Sequence, residues 1–431
     1  MNWAYELCLI GIVALVLLVS GQWITFSLGI AGMFAIVLSG GLQALEPLGY
    51  VIWHSCSNIN IAAIPLFILM GELILQSGVS DRFYRNLGLW FNRVPGGLLQ
   101  ANVVASAIFA AITGVSVASA GALGTVAIPS QKKLGYDHKM IFGSLTGGGA
   151  LAILIPPSVP FIIYGAMTEN SVVKLFSAGI VPGIILTAIF MIYIMIRVFL
   201  RPELTPKRET TIPLRVKVVG LRDVLPIIFI ALLMLFGIYF GWMTPTEAGA
   251  IGTFCSFILV ILYSKGSAQV TLVAALRNGI KVSCMLLSIM IGAQILAFSL
   301  VSTGINREIT DWVVGLNLPK YGFLSAIYFV YLVLGCFMDP ISILFLTLPI
   351  VYPIVVAMGF PPIWFGVVLV VWIEIGLLTP PVGMNLFIIH GVSGGSTFNE
   401  VVRGSLPYVL LMVFFVIVLT IFPFLGAFSE F

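Results

Sequence analysis

The chain carries two copies of one segment, residues 95–157 and 319–381, which lie 224 positions apart. Each copy ends in a pair of prolines inside an apolar run, Pro156-Pro157 in the first and Pro380-Pro381 in the second. A proline inside a helix removes a backbone donor and clashes with the preceding turn, so each pair predicts a helix break. Within lipid, the backbone groups freed by a break need partners in protein or in a water-filled cavity. Matched breaks in two halves of a membrane protein are typical of a transporter's binding site.

The offset between the two segments also holds at other prolines. Pro95 matches Pro319, and Pro129 matches Pro353. Two ordinary proline kinks are the alternative explanation for one pair taken alone. The shared offset over the whole segment favours an internal repeat.

The composition requires a membrane environment. Of the 431 residues, 60% are hydrophobic and only 8% are charged, and the mean hydropathy is +1.16. A soluble domain carries about 25% charged residues, so the predicted fold class is an all-α polytopic membrane protein. The net charge of +4 is spread over loops, which argues against nucleic acid as a partner. The five cysteines lack metal-site spacing and are interpreted as small packing residues.

The apolar segments predict the spans. A helix needs about 20 apolar residues to cross the hydrocarbon core. Two stretches, 97–128 and 322–353, are longer than one span and contain a polar or small-residue break, and we interpret each as a re-entrant helical hairpin. Ten further segments are predicted spans, near 4–20, 23–40, 61–77, 141–165, 179–198, 224–241, 247–263, 280–301, 364–389 and 405–425.

Basic residues predict the orientation, because they concentrate on the cytoplasmic side. They flank the first hairpin on both sides, at Arg82, Arg85, Arg93, Lys132, Lys133 and Lys139. The loops around the second hairpin hold only Arg307 and Lys320, which suits the outer side. Five spans per half then require two inverted repeats, with both termini outside. If each hairpin were instead two full spans, the number of membrane crossings per half would still be odd, and the orientation would not change.

The predicted organisation has three parts: a first inverted repeat at 1–200, a cytoplasmic linker at 201–222 and a second inverted repeat at 223–431. Seven basic residues at 197–222 support the cytoplasmic linker: Arg197, Arg201, Lys207, Arg208, Arg215, Lys217 and Arg222. Segments 42–58 and 264–279, the latter with Lys265 and Arg277, are predicted to be interfacial helices that connect a moving part to a fixed part.

Broken helices and hairpin tips supply the groups that bind ions in such proteins. The carbonyl end of a half-helix coordinates a small cation, and the amino end attracts an anion. We expect two cation sites, each at one tip and its nearest break, with a substrate between them near the membrane midplane. Thr113, Ser116 and Ser119 offer hydroxyls at the first tip, and Thr379 and Asn385 offer polar groups at the second break. Close helix packing is the alternative role of the serines.

Carboxylates within the spans are few, so each is a candidate functional group. Asp339 at the second tip either binds a cation or caps the following helix. Glu374, which precedes the second break, is either a proton carrier or the partner of a buried polar group. Glu247 follows Thr244 and Pro245 at a helix start, where a capping role is favoured.

The sequence contains no catalytic triad, paired hydrolytic carboxylates or metal-ligand cluster, so we expect no enzyme activity and no cofactor. The glycine run at 146–150 lacks the Lys-Ser/Thr of a phosphate loop, and we interpret it as a close helix contact. Because ATPase motifs are absent, energy is expected from an ion gradient or from another subunit.

Four motifs resemble one known family. They are 148–158 (GGALAILIPPS), 244–250 (TPTEAGA), 335–340 (GCFMDP) and 374–386 (EIGLLTPPVGMNL). Together they resemble the large membrane subunit of tripartite ATP-independent periplasmic (TRAP) transporters. The resemblance covers essentially the whole chain, and several long motifs in order are more specific than any single one.

The resemblance implies an elevator-type, sodium-driven importer of the ion transporter superfamily, with scaffold and transport parts. Its implied partners are a small four-helix membrane subunit, expected as a separate polypeptide, and a soluble periplasmic substrate-binding protein. Its implied substrates are organic acids, such as C4-dicarboxylates, sialic acid or other sugar acids. The implied location is the bacterial inner membrane, with both termini periplasmic and Na+ as the coupling ion.

The resemblance also implies the binding residues, many of which would act through backbone carbonyls. The first sodium site would comprise Thr113, Ser116, Ala152, Ile155 and Pro157. The second sodium site would comprise Asp339, Gly376, Thr379 and Pro381. Ser158 and Asn385 are expected to bind the substrate.

Two alternatives remain open at this point. One is a stand-alone ion-coupled carboxylate carrier of the same superfamily, which needs no binding protein. The other is a sodium/proton antiporter in which Asp339 and Glu374 titrate. A membrane enzyme is disfavoured by the lack of a catalytic cluster, and a passive scaffold by the paired helix breaks.

Overall fold

The structure is a computed structural model that describes residues 3–59, 61–206, 212–264 and 267–426. Helices and short 3-10 turns, without strands, make up the regular structure of these ranges. In the first half the helices are α1 (Trp3–Val19), α2 (Ile24–Gly40), α3 (Leu48–Cys56), α4 (Ala63–Gln76), α5 (Val79–Phe91), α6 (Leu98–Thr113), α7 (Ser116–Lys133), α8 (His138–Ala150), α9 (Val159–Thr168) and α10 (Val172–Leu200). In the second half they are α11 (Leu214–Tyr239), α12 (Pro245–Tyr263), α13 (Ala268–Ser302), α14 (Ile305–Gly315), α15 (Lys320–Phe337), α16 (Pro340–Ala357), α17 (Pro362–Leu377), α18 (Met384–Gly391) and α19 (Phe398–Ile421).

The length and composition of the helices confirm the predicted all-α polytopic membrane fold. Among the described residues, seven helices are long and apolar enough to cross a membrane: α10, α11, α12, α13, α15, α16 and α19. An eighth span results if α4 and α5, which meet at a bend of 72°, count as one. Shorter apolar helices include α1, α2, α6, α9 and α17.

The order of the helices repeats between the halves. The series from α4 to α10 corresponds to the series from α13 to α19. In each series a helical pair, α6–α7 or α15–α16, occupies a predicted hairpin. An interrupted helix, α8–α9 or α17–α18, follows at the predicted proline break. The opposite orientation of the two series in the membrane stays a prediction.

One of the two predicted interfacial helices differs from its prediction. The segment 264–279 was expected to be a separate interfacial helix, but residues from Ala268 onward belong to the continuous 35-residue helix α13. Residues 268–278 contain no glycine or proline, so this segment carries no helix breaker between the predicted interfacial helix and the span that follows. The matching segment 42–58 does form a short separate unit, a 3-10 turn at Leu42–Leu45 followed by α3. Lys265 lies outside the described residues.

The predicted linker 201–222 includes the first residues of a helix. Helix α11 begins at Leu214, inside the segment 201–222, so Arg215, Lys217 and Arg222 lie on a helix. Lys207 and Arg208 lie outside the described residues.

Two amphipathic helices were treated as loops in the sequence analysis. Helix α5 buries Val79 and Phe83 while Arg85 and Asp81 form an exposed ion pair at 3.8 Å. Helix α14 buries Ile305 and Ile309 and carries the corresponding exposed pair of Arg307 and Asp311, also at 3.8 Å. Apolar residues spaced three and four apart were the available signal.

Twelve of the described helices form two groups by their packing. The frame group consists of α2, α4, α12 and α13, in which α2 packs against α13 and α4 packs against α12 and α13. The central group consists of the two hairpins and the two interrupted helices. Within it, α8 packs against α6 and α7, and α17 packs against α15 and α16. The halves also interlock, because α9 packs against α16 and α18 packs against α7.

The glycine run on α8 permits a very close helix contact, as the sequence analysis proposed. A Cβ atom at Gly143 would lie 2.2 Å from the Gly404 carbonyl oxygen, and one at Gly147 would lie 2.3 Å from the Tyr408 ring. Small residues let helix backbones approach in membranes. The hydroxyls of Thr146 and Ser405 are hydrogen-bonded at 2.7 Å across the same contact.

The start of α12 confirms the capping role of Glu247. The Thr244 backbone N–H donates to Glu247 Oε2 at 2.7 Å, and the Glu247 N–H donates to Thr244 Oγ1 at 3.3 Å. This reciprocal pair is a capping box, which satisfies backbone donors at the helix start.

Candidate functional site

The first hairpin turns at Gly114 and Val115, between α6 and α7. Gly114 has φ +59°, which glycine adopts without steric cost. Its carbonyl accepts a hydrogen bond from the Val159 backbone N–H at 3.4 Å. A Cβ atom at Gly114 would lie only 3.1 Å from the Pro157 carbonyl oxygen. The first tip is therefore seated directly on the first helix break.

The first break is fully enclosed by protein. Helix α8 passes into a 3-10 turn, Leu151–Ile153, which precedes the cis peptide between Pro156 and Pro157. Both prolines and Ser158 are buried. The Ser158 hydroxyl donates to the Ile153 carbonyl at 2.6 Å, so it satisfies one carbonyl that the break frees. Substrate binding by Ser158 stays a prediction.

The residues predicted for the first sodium site separate into two sets. Thr113 adjoins Gly114 at the contact with Pro157, and its hydroxyl donates to the Phe109 carbonyl at 3.0 Å. The oxygen of a donating hydroxyl can still accept or coordinate. Ala152 is buried in the 3-10 turn. Its methyl side chain cannot coordinate an ion, so its backbone carbonyl is the only group it could offer.

Ile155 and Ser116 complete that predicted set, and both direct their side chains elsewhere. The Ile155 side chain packs against Gly183 of α10, where a Cβ atom would approach it to 2.6 Å. The Ser116 hydroxyl donates to Glu374 Oε2 of the second half at 3.1 Å. Coordination by any of the five residues is untested.

The second hairpin turns at Met338 and Asp339, between α15 and α16. Asp339 Oδ2 accepts hydrogen bonds from the backbone N–H groups of Ile341 and Ser342, each at 3.1 Å. The Ser342 hydroxyl also donates to Asp339 Oδ1. These contacts establish the capping role that the sequence left open for Asp339. A direct role of Asp339 in cation binding stays a prediction.

The second tip is also seated on the break of its own half. The Gly383 backbone N–H donates to the Cys336 carbonyl at 3.0 Å. A Cβ atom at Gly376 would lie 2.5 Å from Gly335 Cα, so the backbones of α15 and α17 touch. The Thr379 hydroxyl donates to the Ile375 carbonyl at 2.6 Å, four residues earlier, as the Thr113 hydroxyl does in the first half.

The two breaks differ in exposure although both contain a cis peptide between their prolines. Pro156 and Pro157 are buried, whereas Pro380 and Pro381 are exposed. Gly376 is buried beneath the second break. The proline pair of the second break therefore lies at an accessible edge of the central group, and the proline pair of the first lies inside it.

A buried polar cluster joins the first tip to the second break. Glu374 on α17 is 1% exposed and Asn385 on α18 is fully buried. The Asn385 amide nitrogen donates to Ser116 Oγ at 2.7 Å and to Glu374 Oε2 at 3.2 Å. Glu374 is thus the partner of buried polar groups, one of its two predicted roles. The sequence could not identify Ser116 as that partner, because the two residues are far apart in the chain.

Two cavities mark other parts of the central region. One of about 330 Å³ lies at the start of the first hairpin, beside Pro95, Gly96 and Gly97. A much smaller one, of about 10 Å³, adjoins Pro156 and Pro157. Among the described residues, no group of three His, Cys, Asp or Glu side chains could hold a metal ion. The arrangement therefore offers isolated oxygens and helix ends, which suit ions and small anions.

Comparisons with known proteins found one matching family and several relatives. Residues 11–425 match the family model described as "Tripartite ATP-independent periplasmic transporter, DctM component". The C4-dicarboxylate TRAP transporter large permease protein DctM of Pseudomonas aeruginosa is 35% identical over 400 residues, which cover 92% of each chain. The sialic acid TRAP transporter large permease protein SiaM of Vibrio cholerae is 26% identical, over 94% of each chain.

A solved structure supports the fold. The crystal structure of the Alcanivorax borkumensis YdaH transporter matches with a TM-score of 0.59 and 15% identity, covering 90% of this chain and 89% of that one. The family match spans nearly all of the chain, and its members are transporters rather than enzymes. The chain therefore belongs to the DctM family, the large membrane subunits of tripartite ATP-independent periplasmic transporters.

Proposed function

We propose that this chain drives the uptake of an organic acid with a sodium gradient, by an elevator mechanism. The main support for the proposal is that each hairpin tip packs against the proline break of its own half. Gly114 accepts from Val159 in the first half, and Cys336 accepts from Gly383 in the second. Each junction brings helix ends and freed carbonyls together, and such ends coordinate small cations in secondary transporters.

The substrate class follows from relatives of the chain. Relatives are named for C4-dicarboxylate, for 2,3-diketo-L-gulonate and for sialic acid, all of which are organic acids. We assign an organic acid to this chain on that basis. Amino ends of α9 and α18 lie beside the breaks and carry the positive end of the helix dipole, which favours a carboxylate.

The proposed partners are a small four-helix membrane subunit and a periplasmic substrate-binding protein that delivers the acid. The description of the family as tripartite supports two further components. We propose the bacterial inner membrane as the location, with both termini periplasmic. The frame group would form the fixed scaffold together with the small subunit, and the central group would move.

The two alternative functions receive less support. A sodium/proton antiporter required Asp339 and Glu374 as a titrating pair, but Asp339 is occupied as a helix cap. A stand-alone carrier would not need the other components that the family description implies.

The proposal predicts that hydroxyl loss at either junction weakens Na+ binding. Thr113→Val and Thr379→Val each remove one oxygen beside a tip, and each should raise the Na+ concentration for half-maximal uptake by about tenfold, since 1.4 kcal/mol corresponds to a factor of ten. Thr187→Val is the matched control, because Thr187 makes the same bond to a carbonyl four residues earlier, at 2.7 Å, on α10. Unchanged sodium dependence in both junction variants would count against the proposed sites.

A further inference from the structure

The cluster of Ser116, Glu374 and Asn385 has fewer hydrogen-bond donors than acceptors. A serine hydroxyl supplies one donor, an asparagine amide supplies two, and an ionised carboxylate supplies none. All three donors are used inside the cluster. Glu374 Oε1 and Asn385 Oδ1 are buried and find no hydrogen-bond partner among the residues that the structure describes. Each orphaned acceptor costs about 1–3 kcal/mol, and a charged one costs more.

Glu374 also has no counter-charge. Within the described ranges, Glu374 forms no ion pair, and its hydrogen bonds come only from Ser116 and Asn385. A buried carboxylate without a paired positive charge is strongly unfavourable in an apolar interior. The site therefore requires one unit of positive charge that the protein itself does not supply.

The surrounding charged groups lie on the neighbouring helices but near their ends. The acidic residues and histidines on helices packed against α17, or at the caps of those helices, are Asp137, His138, Glu169, Asp339, His390 and Glu400. Lysines and arginines on these helices also lie near the ends, as Lys139 and Arg403 do. No hydrogen bond or ion pair links any of these groups to Glu374 among the described residues.

The amide orientation places the free oxygens on side chains in direct contact. The Asn385 nitrogen faces Glu374 Oε2 at 3.2 Å, which is the favourable orientation beside a carboxylate. Turning the amide over would set two acceptors against each other. Asn385 Oδ1 and Glu374 Oε1 are then the two free acceptors of the cluster.

We propose that Ser116, Glu374 and Asn385 form a site for one monovalent cation, either Na+ or a proton. Glu374 supplies the negative charge, and Glu374 Oε1 and Asn385 Oδ1 are the free ligands. One Na+ bound at the cluster, or one proton on Glu374, neutralises the charge. The site shares Ser116 with the predicted first sodium site, but Glu374 and Asn385 belong to neither predicted sodium site. It is not repeated in the other half, where Pro340, Ala150 and Phe161 stand at the equivalent positions.

The location gives the cation a role in coupling the two halves. Ser116 begins α7 at the first tip, while Glu374 and Asn385 flank the second break. An ion here would hold the first tip against the second interrupted helix. The role of this cation in a transport cycle rests on the proposed function, but binding of the cation can be measured without transport.

The test measures cation binding to the purified chain in lipid nanodiscs. Equilibrium binding of radioactive Na+ gives the number of ions per chain, and thermal unfolding across about pH 5–8 reports proton binding. Glu374→Gln removes the charge while it keeps the size of the side chain. Glu72→Gln is the matched control, since Glu72 lies on α4 of the frame group and accepts a bond from Asn278 at 3.3 Å.

A sodium site predicts one Na+ fewer per chain in Glu374→Gln. A proton site predicts an unchanged Na+ count and the loss of one pH-dependent step in the unfolding midpoint. Asn385→Ala keeps the carboxylate but removes one free oxygen and the amide donor to Glu374, so it should change the Na+ affinity about tenfold or move the pH step by about one unit. This second variant keeps the test decisive if Glu374→Gln does not fold.

The site is refuted if both variants keep the wild-type Na+ count, Na+ affinity and pH profile, since the cluster is then a fixed polar contact. Failure of the proposed function looks different. In that case the wild-type chain binds no Na+ at any pH, whereas a lost pH step in Glu374→Gln would still support a proton at this site.

Discussion

Replacement of Gly376 by alanine tests the contact that seats the second tip on its break. A Cβ atom at Gly376 would lie 2.5 Å from Gly335 Cα and 2.9 Å from the Gly335 carbonyl carbon. Both neighbours are backbone atoms, so no side chain can rotate away. Unstrained carbon–carbon contacts lie at about 3.5–4.0 Å, so α15 and α17 would have to separate by about 1 Å.

The expected loss of stability follows from this overlap. Adding a methyl group to a well-packed core costs about 1–3 kcal/mol. One or two kcal/mol changes the ratio of folded to unfolded protein by a factor of about 5–30. The first half has no such glycine pair. The residues at the positions equivalent to Gly335 and Gly376 are Ala111 and Ala152, and both are buried. The effect should therefore be specific to the second junction.

The assay is thermal unfolding of the purified chain in buffer without Na+, which separates packing from ion binding. Gly376→Ala should unfold at a lower temperature than wild type and should also lose uptake activity. Gly11→Ala is the control, because a Cβ atom at Gly11 on α1 would meet nothing within 4 Å. A Gly376→Ala protein with wild-type stability and uptake would refute the close seating of the second tip.

Two further predictions concern the second tip and the topology. Asp339→Ala should lower stability by about 0.5–2 kcal/mol through loss of the cap, while Asp339→Asn should retain most of it, as thermal unfolding would measure; a rise in the Na+ requirement for uptake by Asp339→Asn would instead indicate a cation ligand. Lys133→Cys should react only with reagents that reach the cytoplasm and Lys320→Cys only with reagents outside, since both positions are exposed; the reverse labelling would overturn the orientation.

The glycine and proline pattern predicted the central group closely. The predicted tips at Gly114 and Asp339 lie between the two helices of each hairpin, and the proline pairs lie in the gaps after α8 and α17. These residues impose local backbone conformations, so their effect can be read without knowledge of the fold.

Contacts and burial that depend on residues far apart in the sequence could not be predicted. The contact of Ser116 with Glu374 depends on α18 packing against α7, which no local pattern encodes. The different exposure of the prolines in the two breaks likewise depends on which helices cover them. Helix α13 was missed as a continuous element because its first residues are amphipathic and resemble an interfacial segment.

The measurement that tests the central claim most directly is uptake of organic acids by proteoliposomes under an inward Na+ gradient. The chain would be reconstituted with and without its candidate small subunit and periplasmic binding protein. The account predicts uptake that requires the Na+ gradient and both partners. Uptake that proceeds without Na+, or with this chain alone, would contradict it.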